Sequence, residues 1–224
     1  MKMKEYMVIF DMDGVLVDSE PLYYEANQNF LRSRGIKLSR EEYNEFVGIS
    51  APLMWESIKT RFGLKDSVEE LVEAENKRLY GVLEDEKLSS IEGIPELLDQ
   101  IRKKGIYLSL ASSSPIKVIN FITKQIGVSD YFDFVISGEE VVNGKPHPEI
   151  FLTCANRFKI TPSRALVIED SKNGILAAKK AGMKAVGFRN LNSGKIDLSE
   201  ADLVVDSFSQ ENREKILALL TGGS

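Results

Sequence analysis

Two carboxylates one residue apart, Asp11 and Asp13, are followed at once by Gly14 in the run FDMDGVLVDSE. Two oxygen-bearing side chains at that spacing, closed by a glycine, can hold a hard cation through oxygen alone. A calcium loop can begin in the same way. Here no further acids follow at the positions such a loop requires, and the apolar run YMVIF precedes the pair. A buried strand that ends in two acids places them where ligands bind in open α/β sheets, beyond the carboxyl end of the strand.

The elements that must position this pair are legible as short apolar runs. YMVIF, IYLSLA, FVIS, ALVIE and AVGF are each four to six residues long and rich in Val, Ile, Leu and Phe. Such runs read as strands covered on both faces, as in a parallel sheet. Helical patterns lie between them, at Leu97, Leu98 and Ile101, at Val118, Ile122 and Ile126, and at Ile175 and Ala178. A glycine stops each pattern, at Gly105, Gly127 and Gly182. Alternation of this kind predicts an α/β fold, a doubly wound, Rossmann-like parallel sheet.

From about Ser19 to Glu86 the alternation breaks and only amphipathic helices are predicted. Leu22, Ala26 and Phe30 share a face, and Met54, Ile58 and Phe62 form a stripe ended by Gly63. SREE from Ser39 and SVEE from Ser67 are capping boxes. The expected division is an α/β core of residues 1–18 plus 88–224 and a small helical cap of residues 19–87. The acids Glu69, Glu70, Glu73 and Glu75 read as a solvated helix face.

Composition narrows the partners. The 224 residues carry a net charge of -5, with 43% apolar and 28% charged residues. That is an ordinary globular balance with no basic face for nucleic acid or an anionic membrane. One cysteine, Cys154, excludes an intrachain disulfide and reads as a small core residue on a helix, in register with Ile150 and Phe158. The apolar run in MKMKEYMVIF is too short for a signal peptide, so a cytoplasmic location is expected, and the protein is expected to be a monomer. His147 is the only histidine, so no histidine pair can hold a metal. It reads as ordering the loop after Lys145.

Asp11-Met12-Asp13-Gly14-Val15-Leu16-Val17-Asp18-Ser19 closely resembles the first motif of the haloacid dehalogenase superfamily. The chain is similar to its β-phosphoglucomutase-like and sugar-phosphate phosphatase branch, which carries a helical cap. The superfamily's other three motifs appear in order, each at an element boundary. Ser112 stands in SLASSSP, Lys145 in NGKPHPEIF, and Glu169 with Asp170 in ALVIEDSKNG.

The resemblance implies Asp11 as nucleophile and Asp13 as general acid and base. It implies Mg²⁺ as cofactor, held by Asp11, Asp170, the backbone carbonyl of Asp13 and, directly or through water, Glu169. Lys145 and Ser112, with Ser113 beside it, would bind phosphate, while Ser113 and Ser114 read equally well as caps of the helix near Pro115. Asp13 must begin protonated, and neighbouring carboxylate charge is the expected cause of a raised pKa. Asp18 and Glu20 read as hinge residues or substrate contacts, and Asn173 with Gly174 as shaping a turn.

The implied activity is hydrolysis of a small phosphorylated metabolite, such as a sugar phosphate, with a β-phosphoglucomutase-like mutase as the alternative. Asp13 argues against a dehalogenase. The helical insert and the length argue against a phospho-accepting receiver domain. A mutase must also grip a distal phosphate, yet Val47-Gly48-Ile49-Ser50-Ala51 lacks the Lys and Arg of the mutase cap loop. Lys77 and Arg78 are the candidates left to supply that charge.

Overall fold

The computed structural model describes residues 5–46, 49–193 and 196–222. Strand β1 (Met7–Phe10) is followed by four helices, α1 (Glu20–Ser33), α2 (Arg40–Asn44), α3 (Ala51–Phe62) and α4 (Val68–Asp85). The chain then alternates: α5 (Ile94–Lys103), β2 (Tyr107–Ser112), α6 (Ile116–Gln125), β3 (Phe134–Ser137), α7 (Glu149–Phe158), β4 (Ala165–Glu169), α8 (Lys172–Lys180), β5 (Lys184–Phe188), β6 (Leu203–Val205) and α9 (Gln210–Thr221). The six strands form one parallel sheet in the order β3-β2-β1-β4-β5-β6.

The expected α/β architecture is therefore present, and all five apolar runs are strands. The sixth strand was not read from the sequence. It has three residues, and Val204 at its centre is partly exposed, so it carries no run of buried positions.

Strand side chains alternate between two covered faces. Val8, Phe10, Leu108, Leu110, Leu166 and Ile168 pack with residues of α5, α6 and α9. Met7, Ile9, Ala165 and Val167 pack with residues of α7 and α8, Cys154 among them. Burial on both faces is why these strands are apolar throughout. Each fully buried Val, Leu, Ile, Met or Phe contributes about 1.5–3 kcal/mol relative to exposure.

The helices α1 to α4 have an apolar cluster of their own, centred on Leu31, Trp55, Ile58 and Leu71. Both capping boxes are formed, at Ser39 and at Ser67. The far end of α4 belongs elsewhere, because Leu79 and Leu83 pack into the cluster of the sheet. The two segments that join insert and sheet are tied to each other. Val17 bridges to Ser90, and the Ile91 amide donates to the Leu16 carbonyl at 2.9 Å. Among the described residues no helix is long and apolar enough to cross a membrane.

Where the second joining segment ends, Gly93 opens α5 with φ 86°. A Cβ there would lie 2.2 Å from the Phe208 carbonyl oxygen. Gly93→Ala combines a disfavoured backbone conformation with this clash and should destabilise the protein by about 2–3 kcal/mol in denaturant titration. An unchanged midpoint would contradict the packing described.

Candidate active site

Helices α5 and α6 cover one face of the sheet and α7 and α8 the other. The winding reverses between β1 and β4, and a crevice opens there beyond the carboxyl ends of the strands. Asp11 follows β1, Glu169 ends β4, and Asp170 is next. All three are buried, and each offers a carboxylate oxygen within 4.8 Å of the others. Gly14 makes room for this grouping, since a Cβ on it would come 2.0 Å from Asp170 Oδ2.

Lys145 enters the cluster from the loop before α7 and is 2% exposed. Its Nζ donates to Asp11 Oδ1 at 2.6 Å, to Glu169 Oε1 at 2.8 Å and to the Ala111 carbonyl at 3.3 Å. Three acceptors for the three protons of one ammonium fix its position. Burial works to lower the Lys145 pKa, but the charges of Asp11 and Glu169 prevail and raise it. Glu169 is held at its other oxygen by the Ser171 amide at 2.7 Å and the Ser171 hydroxyl at 2.8 Å. Gly174 leaves the space that this carboxylate occupies, for a Cβ would lie 1.8 Å from Oε1.

The Asp11 carboxyl is pushed up to about 8 by burial, with Lys145 opposing and the charges of Glu169 and Asp13 adding to the rise. Three carboxylates and one ammonium in a buried space leave an excess of negative charge. Oxygen ligands of this kind suit a hard divalent cation such as Mg²⁺.

Asp13 is turned away from that cluster. Ser19 donates to its Oδ1, and Ser114 and Ser112 donate to Oδ2 at 2.7 and 3.3 Å. Its pKa is raised, as expected, but the cause differs. Burial is the largest cause and raises it, while the three hydroxyl donors and the Lys145 charge oppose the rise. Sequence reading missed Ser114 and Tyr23. Ser114 does not cap α6, whose preceding residue is Pro115. Its hydroxyl shares a hydrogen bond of 2.9 Å with Tyr23 Oη, so α1 touches the partner of Asp13. Ser112 is buried, and its Oγ also accepts from the Ser114 amide at 3.1 Å, whereas Ser113 lines the open cleft.

Asn190 and Asn192 were missed too. Asn190 Nδ2 donates to the Gly14 carbonyl at 3.1 Å and to Asp18 Oδ1 at 3.3 Å, and Asn192 Nδ2 donates to Asp18 Oδ2. Asp18 is therefore a bonded joint between the first loop and the loop after β5. The Glu20 side chain and residues 47 and 48 lie outside the described residues. His147 is half exposed, 3.7 Å from Glu149, and its amide donates to the Gly144 carbonyl. Cys154 is buried, and burial pushes its thiol up to about 12, so it is chemically quiet.

The cleft over Asp11, Asp13, Lys145 and Asp170 is roofed by the helical insert. Glu75 on α4 lines it, and this corrects the reading of the acidic run as a solvated face. Glu75 is 5% exposed and accepts from Asn27 Nδ2 and Trp55 Nε1, each at 2.7 Å. Lys77 is exposed, and the Arg78 guanidinium lies over the Phe30 ring at 3.6 Å. Neither lines the cleft.

Residues 8–188 match the model of the haloacid dehalogenase-like hydrolase family. A phosphorylated carbohydrates phosphatase of Thermotoga maritima is 36% identical over 197 residues, covering 84% of this chain and 88% of that one. A phosphoglycolate phosphatase of Salmonella paratyphi A is 32% identical, with 90% and 89% covered. The crystal structure of a beta-phosphoglucomutase from Clostridium difficile superposes with a TM-score of 0.83 at 30% identity, covering 98% of each chain. With four motifs gathered at one crevice and a family match over most of its length, the chain belongs to the haloacid dehalogenase-like hydrolases.

Proposed function

We propose that this protein is a Mg²⁺-dependent phosphatase that hydrolyses a small phosphorylated metabolite, a sugar phosphate or related carbohydrate ester, through an aspartyl phosphate on Asp11. The observation that carries the reading is the buried group of Asp11, Glu169 and Asp170 around Lys145, facing a roofed cleft. In this reading residues 19–87 act as a cap over a core of residues 1–18 plus 88–224. The enzyme works as a cytoplasmic monomer on small molecules.

Asp11 and Asp170, with the Asp13 backbone carbonyl, would hold Mg²⁺, and Glu169 would stand at its edge. When bound, the ion screens the carboxylates from a dianionic phosphate and withdraws charge from phosphorus. Asp11 attacks phosphorus in line, forming the O–P bond of the acyl phosphate while the ester O–P bond breaks. Asp13 gives its proton to the departing alkoxide. Its carboxylate then takes a proton from water, which attacks the same phosphorus and returns Asp11 as a carboxylate. Lys145 supplies positive charge to the phosphoryl oxygens, with Ser112, Ser113 and nearby amides as donors. Burial, the larger effect, favours the acid form of Asp13 that the first step needs, while its hydroxyl donors favour the anion.

A mutase reading has the Clostridium difficile structure in its favour. It also requires a grip on a distal phosphate. Among the described residues that line the cleft, Lys145 is the only Lys or Arg, and it sits at the reaction centre. Water is therefore proposed as acceptor. Incubation with Mg²⁺, β-glucose 1-phosphate and a trace of glucose 1,6-bisphosphate should release free phosphate. Rapid conversion to glucose 6-phosphate with little phosphate released would favour the mutase instead.

Asp11→Asn keeps the shape of the side chain and removes the attacking anion. It should cut phosphate release by at least about 10³-fold with the circular dichroism spectrum unchanged. Wild-type turnover would refute the assignment. By calorimetric titration, Asp170→Asn should weaken Mg²⁺ binding by more than the roughly 10-fold typical of losing an outer-sphere partner. Asp13→Asn, which retains the backbone ligand, should weaken it less. Equal losses would contradict this division of roles.

A further inference from the structure

The cap wall of the cleft carries polar groups that the phosphoryl chemistry does not use. Glu75 accepts one hydrogen bond at each carboxylate oxygen, from Asn27 and from Trp55. Asn27 Nδ2 also donates to Tyr43 Oη at 3.0 Å, which fixes the amide. A carboxylate oxygen has two lone-pair sites, so one donor on each leaves acceptor capacity. Behind it, Asn27 Oδ1 is a buried acceptor with no partner. Asn76, the next residue of α4, lines the same cleft, and Phe46, Ile49, Met54 and Leu79 supply an apolar lining. Arg78 acts on Glu75 through its charge and stacks on Phe30, but it does not line the cleft.

Such a wall has a definite chemical preference. A hydroxyl can donate to Glu75, and a carbon skeleton can lie against the apolar residues. A carboxylate or a second, fully ionised phosphate brings no proton to donate and meets a buried acidic group, and among the described residues no Lys or Arg lines that wall. Like charges facing each other in a desolvated site are strongly disfavoured.

We propose that Glu75 and Asn76 form the specificity site for the unphosphorylated end of the substrate. The site selects a monophosphate whose tail is neutral and hydroxylated and excludes esters that carry a second anionic group. The inference rests on the phosphatase reading and narrows it, for it separates carbohydrate monophosphates from a phosphate ester with a carboxylate tail such as phosphoglycolate.

The test is a comparison of kcat/KM with Mg²⁺ over matched esters. Sorbitol 6-phosphate and glucose 6-phosphate have neutral tails; 6-phosphogluconate, fructose 1,6-bisphosphate and phosphoglycolate carry a second anion. The wild type should prefer the neutral class by at least about 30-fold. Glu75→Gln removes the charge, and Asn76→Lys adds a cation without disturbing the buried network. Each should shrink that ratio at least about fivefold, and Asn76→Lys carries the test if Glu75→Gln proves unstable.

A residue that only supports the cap would change all esters alike, so an unchanged ratio in both variants overturns the proposal. So does equal turnover of the two classes by the wild type, even though the phosphatase reading would survive. Preference for an ester with an ammonium tail, such as glucosamine 6-phosphate, would also overturn it. Failure to release phosphate from any ester would overturn both readings together.

Discussion

A single buried ammonium organises this molecule's chemistry. Lys145 Nζ touches Asp11 and Glu169 at once, at 2.6 and 2.8 Å, with almost no solvent to share the charge. Removing one partner of such a group leaves an uncompensated buried charge, at a cost of about 3–5 kcal/mol. The three residues come from three places in the chain: the end of β1, the loop before α7 and the end of β4. They meet because β1 and β4 are neighbours in the sheet and run in the same direction. The fold thus brings its acids to one point and provides one cation among them. The negative charge left over after that pairing suits a hard divalent cation.

The surroundings of this centre divide the work. Asp13 is hydrogen-bonded by hydroxyls whereas Asp11 is bonded by Lys145, so two carboxyl groups a residue apart have different partners, as the roles proposed for them require. Asn190 and Asn192 tie the first loop to the loop after β5 through Asp18. Contact between insert and core is made at chemically sensitive places. Tyr23 reaches Ser114, the donor on Asp13, and the Arg40 guanidinium bonds the Asn192 carbonyl at 2.6 Å. An insert that touches a hydrogen-bond partner of Asp13 and also lines the cleft can, in the proposed mechanism, link binding to catalysis through short paths.

Much of this was readable from the sequence where the signal is local. An apolar strand ending in Asp11 and Asp13 announces a site by itself, and the capping boxes at Ser39 and Ser67 announce helix starts. Lys145, Glu169 and Asp170 became readable through motif order, since nothing near Lys145 in the chain shows that its side chain is buried. The misses have the same physical origin. Ser114 pairs with Asp13 across 101 positions and Asn190 with Gly14 across 176, so their partners exist only in the fold. Glu75 sits among exposed acids with ordinary helical spacing. Trp55 and Asn27, contributed by α3 and α1, turn it into a buried group. The raised pKa of Asp13 was anticipated, but enclosure rather than charge produces it. Strand β6 is too short to show a pattern.

In the proposed mechanism the phosphoryl group visits Asp11 before it meets water. Two successive in-line displacements leave the configuration at phosphorus as it began, whereas direct attack by water inverts it. The deciding measurement is hydrolysis, with Mg²⁺ present, of a phosphorothioate monoester made chiral with oxygen isotopes, in water that carries the third isotope. Net retention in the released thiophosphate is the result predicted by an aspartyl-phosphate path. Net inversion would contradict it and reduce Asp11 to a metal ligand.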